Sequence, residues 1–202
     1  MKTKTIRFTS LVIICIYTFI FSSCTNNSKE LSPDFNKYIS KFELSTFPVS
    51  IDSTTLVNLK NNFEELLGDK IENLKYFQIP DLIEKCDEYN KFDIYPYRCI
   101  NCNEFIVLVY YLKLNSNCAL DAYDNKFILV VYNLQGVIIA HKEIGRLYEM
   151  WEYENYIYSK LDTIKHLSIE NVEFKHDYEL NTNEIIRNNY SFVINEKGIT
   201  PR

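Results

Sequence analysis

Cys99-Ile-Asn-Cys102 places two thiols at the spacing used by redox dithiols and by half of a zinc site. Zinc takes four ligands, usually as two such close pairs. Cys86 and Cys118 each stand alone, and His141, His166 and His176 are scattered, so neither a metal nor a cofactor is expected. A redox dithiol works from the first turn of a helix, where the helix end lowers a thiol pKa. This pair instead runs into the apolar segment Phe105 to Leu112. Disulfide formation is the chemistry left to Cys86, Cys99, Cys102 and Cys118, with three possible connectivities. A straight strand over Phe105 to Leu112 rises ~3.3 Å per residue and carries Cys102 and Cys118 apart, beyond the ~7 Å between α-carbons that a bridge tolerates. Cys86 with Cys99 or Cys102 is therefore the expected bridge, and Cys118 stays in a loop.

The second group that could do chemistry is aromatic. Tyr148, Trp151, Tyr153, Tyr156 and Tyr158 are interleaved with Glu149, Glu152 and Glu154. Rings beside carboxylates can bind sugars, because a ring packs on pyranose C–H groups while acids take the hydroxyls. These five residues are the candidate binding patch. The commoner use of such a stretch turns half of its rings to the core and its glutamates to water. Glycoside hydrolysis would need two carboxyl groups facing each other across a cleft, which neighbours on one segment rarely provide. Asp121, Asp124 and Asn125 lack the alternating spacing and following glutamate of an EF-type calcium loop and are expected in a polar turn. The chain contains no GxSxG, HExxH or phosphate loop, so no catalytic residue is assigned and the balance leans away from an enzyme.

The elements that must position these residues fall into two halves. Ser32-Pro33 offers an N-cap and a proline at the first helical position, and Phe35, Tyr38, Ile39 and Phe42 share one helical face. A second helix is expected after Asp52 or Ser53, with Leu56, Leu59, Phe63 and Leu66 at helical spacing. A third, shorter helical turn opens at Pro80-Asp81. From Phe92 the pattern changes to short runs of β-branched and aromatic residues. Phe105 to Leu112 is apolar at every position and is predicted to be a central strand covered on both faces. Phe127 to Tyr132 and Val137 to Ile144 are joined by Asn133-Leu-Gln-Gly136, a hairpin turn closed by Gly136. Weaker strands are expected at Thr163 to Ile169, Val172 to Tyr178 and Tyr190 to Ile194, the last followed by a turn at Gly198. The fold class is α+β and mainly β: an antiparallel β-meander sheet with two or three short N-terminal helices covering it.

The start of the chain supplies an address. Lys2, Lys4 and Arg7 precede the apolar run Leu11 to Phe21, which ends at Ser22-Ser23-Cys24, the charged, apolar and small-residue order of a secretory signal. The run is short of the ~20 apolar residues needed to span a bilayer. With a cysteine at its end it resembles the lipobox of bacterial lipoproteins, in which that cysteine is lipidated and becomes the mature N-terminus. The resemblance implies a signal peptide over residues 1–23, a lipid anchor at Cys24, a polar tether over 24–31 and one globular domain over 32–202. Thr25 follows Cys24 where some families carry an inner-membrane retention aspartate, so outer-membrane placement is expected.

Residues 1–23 hold three of the 22 basic side chains and none of the 27 acidic ones, leaving 19 basic against 27 acidic groups, a net of −8. Such a surface repels phosphate backbones, and nucleic acid is not an expected partner. With 47% hydrophobic and 15% aromatic residues the chain can offset its ordering entropy and fold.

The lipobox at Cys24, Phe47-Pro48, the apolar strand from Phe105, the Tyr132-Asn-x-x-Gly136 turn and the late Tyr190-x-Phe-x-Ile194 with its turn at Gly198 together resemble uncharacterised small lipoproteins of Bacteroidetes-type bacteria. That resemblance implies location and sheet topology, and it carries no catalytic residues. The expected function is that of a lipid-anchored cell-envelope protein that binds a protein or glycan partner without catalysis. The alternatives are a glycan-directed envelope hydrolase and an immunity or inhibitor lipoprotein.

Overall fold

In a computed structural model of the chain, residues 30–86, 89–118, 123–177 and 180–202 are described. Cys24, Asp121 and Tyr178 lie outside them. Leu31–Arg202 forms one compact unit. Its first helix, α1 (Pro33–Ile39), starts where the sequence places it: Ser32 Oγ accepts from the Phe35 N–H at 3.3 Å and Pro33 fills the first turn. A short strand β1 (Glu43–Leu44) and β2 (Val49–Ile51) follow, then α2 (Ser53–Leu66). Asp52 caps α2 by accepting from the Thr55 N–H at 2.8 Å and the Thr55 hydroxyl at 2.9 Å. The turn expected from Pro80 is a single 3-10 turn, Pro80–Leu82, because the chain passes at once into the two-residue ladder of β3 (Lys85–Cys86) and β4 (Tyr89–Asn90).

The rest is strand: β5 (Phe92–Asn101), β6 (Ile106–Leu114), β7 (Tyr123–Tyr132), β8 (Ile138–Met150), β9 (Tyr153–Thr163), β10 (His166–Asp177), β11 (Thr182–Asn195) and β12 (Gly198–Pro201). Each is antiparallel to the next in chain order. β1 joins the outer side of β5 in parallel and β2 pairs antiparallel with β9, so the sheet is mixed, with ten strands among the described residues. The class is α+β and mainly β.

Alternation along β6 shows why its sequence is apolar throughout. Val107, Val109 and Tyr111 enter one core with Phe127, Leu129 and Val131 of β7, while Ile106, Leu108, Tyr110 and Leu112 enter a second core on the other face. Burial of each such side chain is worth about 1.5–3 kcal/mol. The second core is closed by Phe35 and Tyr38 of α1, Phe42, Ile71, Phe77 and Ile79. The first is closed by Val49, Ile51, Leu56 and Leu59, with Leu161, Leu167, Phe192 and Ile194 from the later strands. Gly145 makes room for this closure, since a β-carbon there would lie 2.6 Å from Ile51 Cγ2.

A chain of hydroxyls crosses the second core. The Tyr132 hydroxyl donates to the Tyr76 carbonyl at 2.7 Å, so the Tyr110 hydroxyl, 2.6 Å away, donates to Tyr132, and that of Tyr38 donates to Tyr110 at 3.1 Å. The Asn133 to Gly136 turn forms as expected: Asn133 Oδ1 accepts from the N–H groups of Gln135 and Val137, and Gly136 has φ 83°.

The disulfide differs from expectation. Cys86 bridges Cys118, with α-carbons 5.8 Å apart, and Cys99 and Cys102 are free. Cys86 does not lie near the Cys99 end of the hairpin. β5 is itself ten residues long and carries Cys99 and Cys102 to the far end, while Leu114 pairs with Phe92 and returns β6 to the end where Cys86 sits.

Candidate functional site

The aromatic stretch forms a β-hairpin. β8 runs on to Met150, Tyr153 opens β9 opposite it, and Trp151-Glu152 is the two-residue turn between them. Strand alternation then divides the five candidate residues into three groups. Tyr148 and Tyr153 share one face, ring centroids 5.7 Å apart. Tyr156 and Tyr158 share the other, stacked with centroids 6.3 Å apart and planes within 7°. Trp151 sits at the apex, 77% exposed. None of the four tyrosines is fully buried; all are half-exposed.

On the Tyr148 face, Arg146 holds Asp124 with two hydrogen bonds, Nε to Oδ1 at 3.0 Å and Nη2 to Oδ2 at 3.2 Å, and Lys126 lies 3.3 Å from the same carboxylate. Burial pushes the neighbouring Glu143 carboxyl up, opposed by the Arg146 and Lys126 charges. Asn125, next in sequence, points to the opposite face, where its Nδ2 donates to the Tyr111 and Tyr123 hydroxyls. Asp124 and Asn125 therefore lie within strand β7, buried in two separate networks, and not in the polar turn that their composition suggests. No group of three metal-ligating side chains comes together among the described residues.

On the Tyr156 face, Glu149 and Glu154 are direct cross-strand partners. Like charges so placed repel, and two donors sit between them. The Tyr156 hydroxyl donates to Glu154 Oε2 at 3.0 Å and lies 3.5 Å from Glu149 Oε1, while Lys60 Nζ pairs with Glu149. These carboxylates lie side by side on one sheet, so the arrangement of two acids facing across a cleft is not the one they form. Phe174 of β10 meets Tyr156 edge-on at 5.7 Å and extends the aromatic row.

Where β9 leaves β8 and pairs with β2, the same face opens into a groove of about 350 Å³. Tyr158, Glu170 and Asn189 form a row across β9, β10 and β11, since Tyr158 pairs with Glu170 and Glu170 with Asn189. Asp52, Ser50 and Ser168 also line it. Glu170 Oε1 accepts from Arg187 Nη1 at 2.8 Å. Asp52 is held below the usual carboxylate range by the hydrogen bond from the Thr55 N–H. Burial, then the Glu170 charge, pushes the Tyr158 phenol up, so it stays a hydrogen-bond donor at neutral pH.

Cys102 lines a second cavity, of about 500 Å³, with Phe105, Ile164 and Val193 as its apolar floor. Burial pushes Cys99 and Cys102 up to about 11, which leaves them as thiols at neutral pH and poor nucleophiles.

The sequence singles out Tyr158 but not Glu170, Asn189 or Asp52. Only the register of β9, β10 and β11 brings these together, and no local spacing announces it. Comparison of the chain with protein-family models, with characterised proteins and with solved structures finds no match.

Proposed function

We propose that this chain is a lipid-anchored protein of the bacterial cell envelope. Residues 1–23 export it, Cys24 holds it to the outer membrane, and residues 32–202 act as a non-catalytic binding module for a protein or glycan partner. Its antiparallel meander, covered by the N-terminal helices, serves as the rigid base of the aromatic hairpin. Export is supported by the leader and by the Cys86–Cys118 bridge, because disulfides persist in oxidising compartments.

The observation that carries the binding reading is Trp151. Its φ is 47°, a left-handed conformation that costs a non-glycine residue about 1 kcal/mol or more. Its side chain is 77% exposed and gains little from burial to offset that cost. A tryptophan where glycine would be easier, on the tip of a hairpin, is placed as an anchor for another molecule. The hydrolase alternative is disfavoured by the engaged carboxylates: Glu149 by Lys60, Glu154 by Tyr156, Glu170 by Arg187 and Asp52 by Thr55.

A benzophenone amino acid at position 151 of the full-length protein in intact cells tests this. Discrete adducts are expected there and not at Val57, which is also exposed. Absence of an adduct at position 151 would remove the binding reading. An adduct with a secreted toxin would assign the inhibitor role.

A further inference from the structure

Among the described residues, each of the three charged ones that line the groove beside Tyr158 already has a partner within the chain. Asp52 caps α2 through Thr55, Glu170 is held by Arg187 at 2.8 Å, and Lys160 pairs with Asp162 at 2.7 Å. An anionic ligand would meet the Asp52 and Glu170 carboxylates, and a cationic one the Lys160 ammonium beside a Glu170 already balanced by Arg187. Neutral hydroxyls meet neither repulsion, and carboxylate oxygens fixed in this way keep spare lone pairs as acceptors.

The remaining groups are suited to such a ligand. Ser168, whose hydroxyl donates to the Lys160 carbonyl at 3.3 Å, keeps lone pairs as acceptors, and Ser50 and Asn189 add a hydroxyl and an amide to the lining. Tyr158 offers an aromatic ring held by the parallel ring of Tyr156 beside it on the same face, so little side-chain freedom is lost on binding. The volume of about 350 Å³ falls at the lower end of ligand sites, roughly 300–1,000 Å³. From the groove the row Tyr158, Tyr156, Phe174 continues along the same face, with centroid steps of 6.3 and 5.7 Å. A ligand of repeated units could therefore extend beyond the groove across successive rings.

Resting on the binding reading above, we infer that this groove binds an uncharged saccharide, with Tyr158 as the stacking ring and Glu170, Asn189 and Ser168 as hydroxyl partners.

The test is titration of the full-length, detergent-solubilised protein with neutral hexose and N-acetylhexosamine oligomers, with uronic acid oligomers and oligolysine alongside. At least one neutral oligomer is expected to bind. Tyr158→Ala should weaken it by about tenfold or more, Asn189→Ala should weaken it less, and Val137→Ala should leave it unchanged. Thermal melts of the variants establish that each is folded, and Tyr158→Phe, which keeps the ring, should retain most of the affinity. Failure of every neutral oligomer to bind would overturn the inference. So would binding that survives Tyr158→Ala in a folded protein, or oligolysine binding in place of the sugars. If any of these occurs while position 151 still yields adducts, the saccharide assignment falls and the binding module stands.

Discussion

Cys86 and Cys118 are joined at the end of the β5–β6 hairpin opposite the one that carries Cys99 and Cys102, and the bridge closes a loop of 32 residues in sequence. A crosslink of that span restricts the unfolded chain and is worth about 2–4 kcal/mol. Cys118→Ser should lower the urea-unfolding free energy by that amount, whereas Cys102→Ser should change it by much less. Equal losses from both substitutions would contradict the pairing.

The hydroxyl chain of the second core gives Tyr110 two neighbours, Tyr38 donating to it and Tyr132 accepting from it. Tyr110→Phe leaves the buried Tyr38 donor without its acceptor, at a cost of about 1–3 kcal/mol. Tyr38→Phe removes only the terminal donor and should cost less. Denaturation of the two variants side by side checks the order.

Stability should fall at alkaline pH. Cys99 and Cys102 rise from an ordinary 9.0 to about 11 through burial, and Tyr38 rises from 10.0 to about 12 for the same reason. Above pH 9 the unfolded chain releases these protons first, so it binds fewer than the folded chain and stability declines with pH. The stabilisation is whole below pH 9 and is lost progressively as pH rises through the folded values. Urea midpoints measured from pH 7 to 11 should stay level and then drop beyond 9. In the Cys99→Ala, Cys102→Ala double variant the drop should begin later.

Trp151→Gly should raise stability by about 1 kcal/mol, because glycine takes the left-handed turn without strain. The same substitution should weaken capture of the partner. A protein made more stable while losing its ligand would show that the residue is kept for recognition. Thermal melting together with crosslinking at a neighbouring turn position, Glu152, reads both effects.

Much of the fold is legible in the amino-acid sequence. β6 announces itself because both of its faces meet a core, so every position from Ile106 to Leu112 is apolar. The Asn133 to Gly136 turn and the Ser32-Pro33 helix start are legible because their chemistry is local. The segment after Gly145 is less so. β8 and β9 carry tyrosines and glutamates on both faces, and neither face is fully buried, so no apolar period marks them as strands. β10 reads as two pieces because Asn171 interrupts it, yet Asn171 Oδ1 accepts from Asn155 at 2.6 Å and is satisfied within the ladder. The groove and the disulfide depend on register between distant strands, which no window of sequence contains.

The most direct measurement is the intact mass of the protein isolated from bacterial cells expressing the full chain, taken before and after reduction. The prediction is a polypeptide beginning at Cys24, heavier by the acyl chains on that residue, and gaining two hydrogen atoms, as two electrons and two protons, when reduction opens the Cys86–Cys118 bridge. A chain that still carried residues 1–23, or one with all its thiols free when isolated under thiol-trapping conditions, would contradict it.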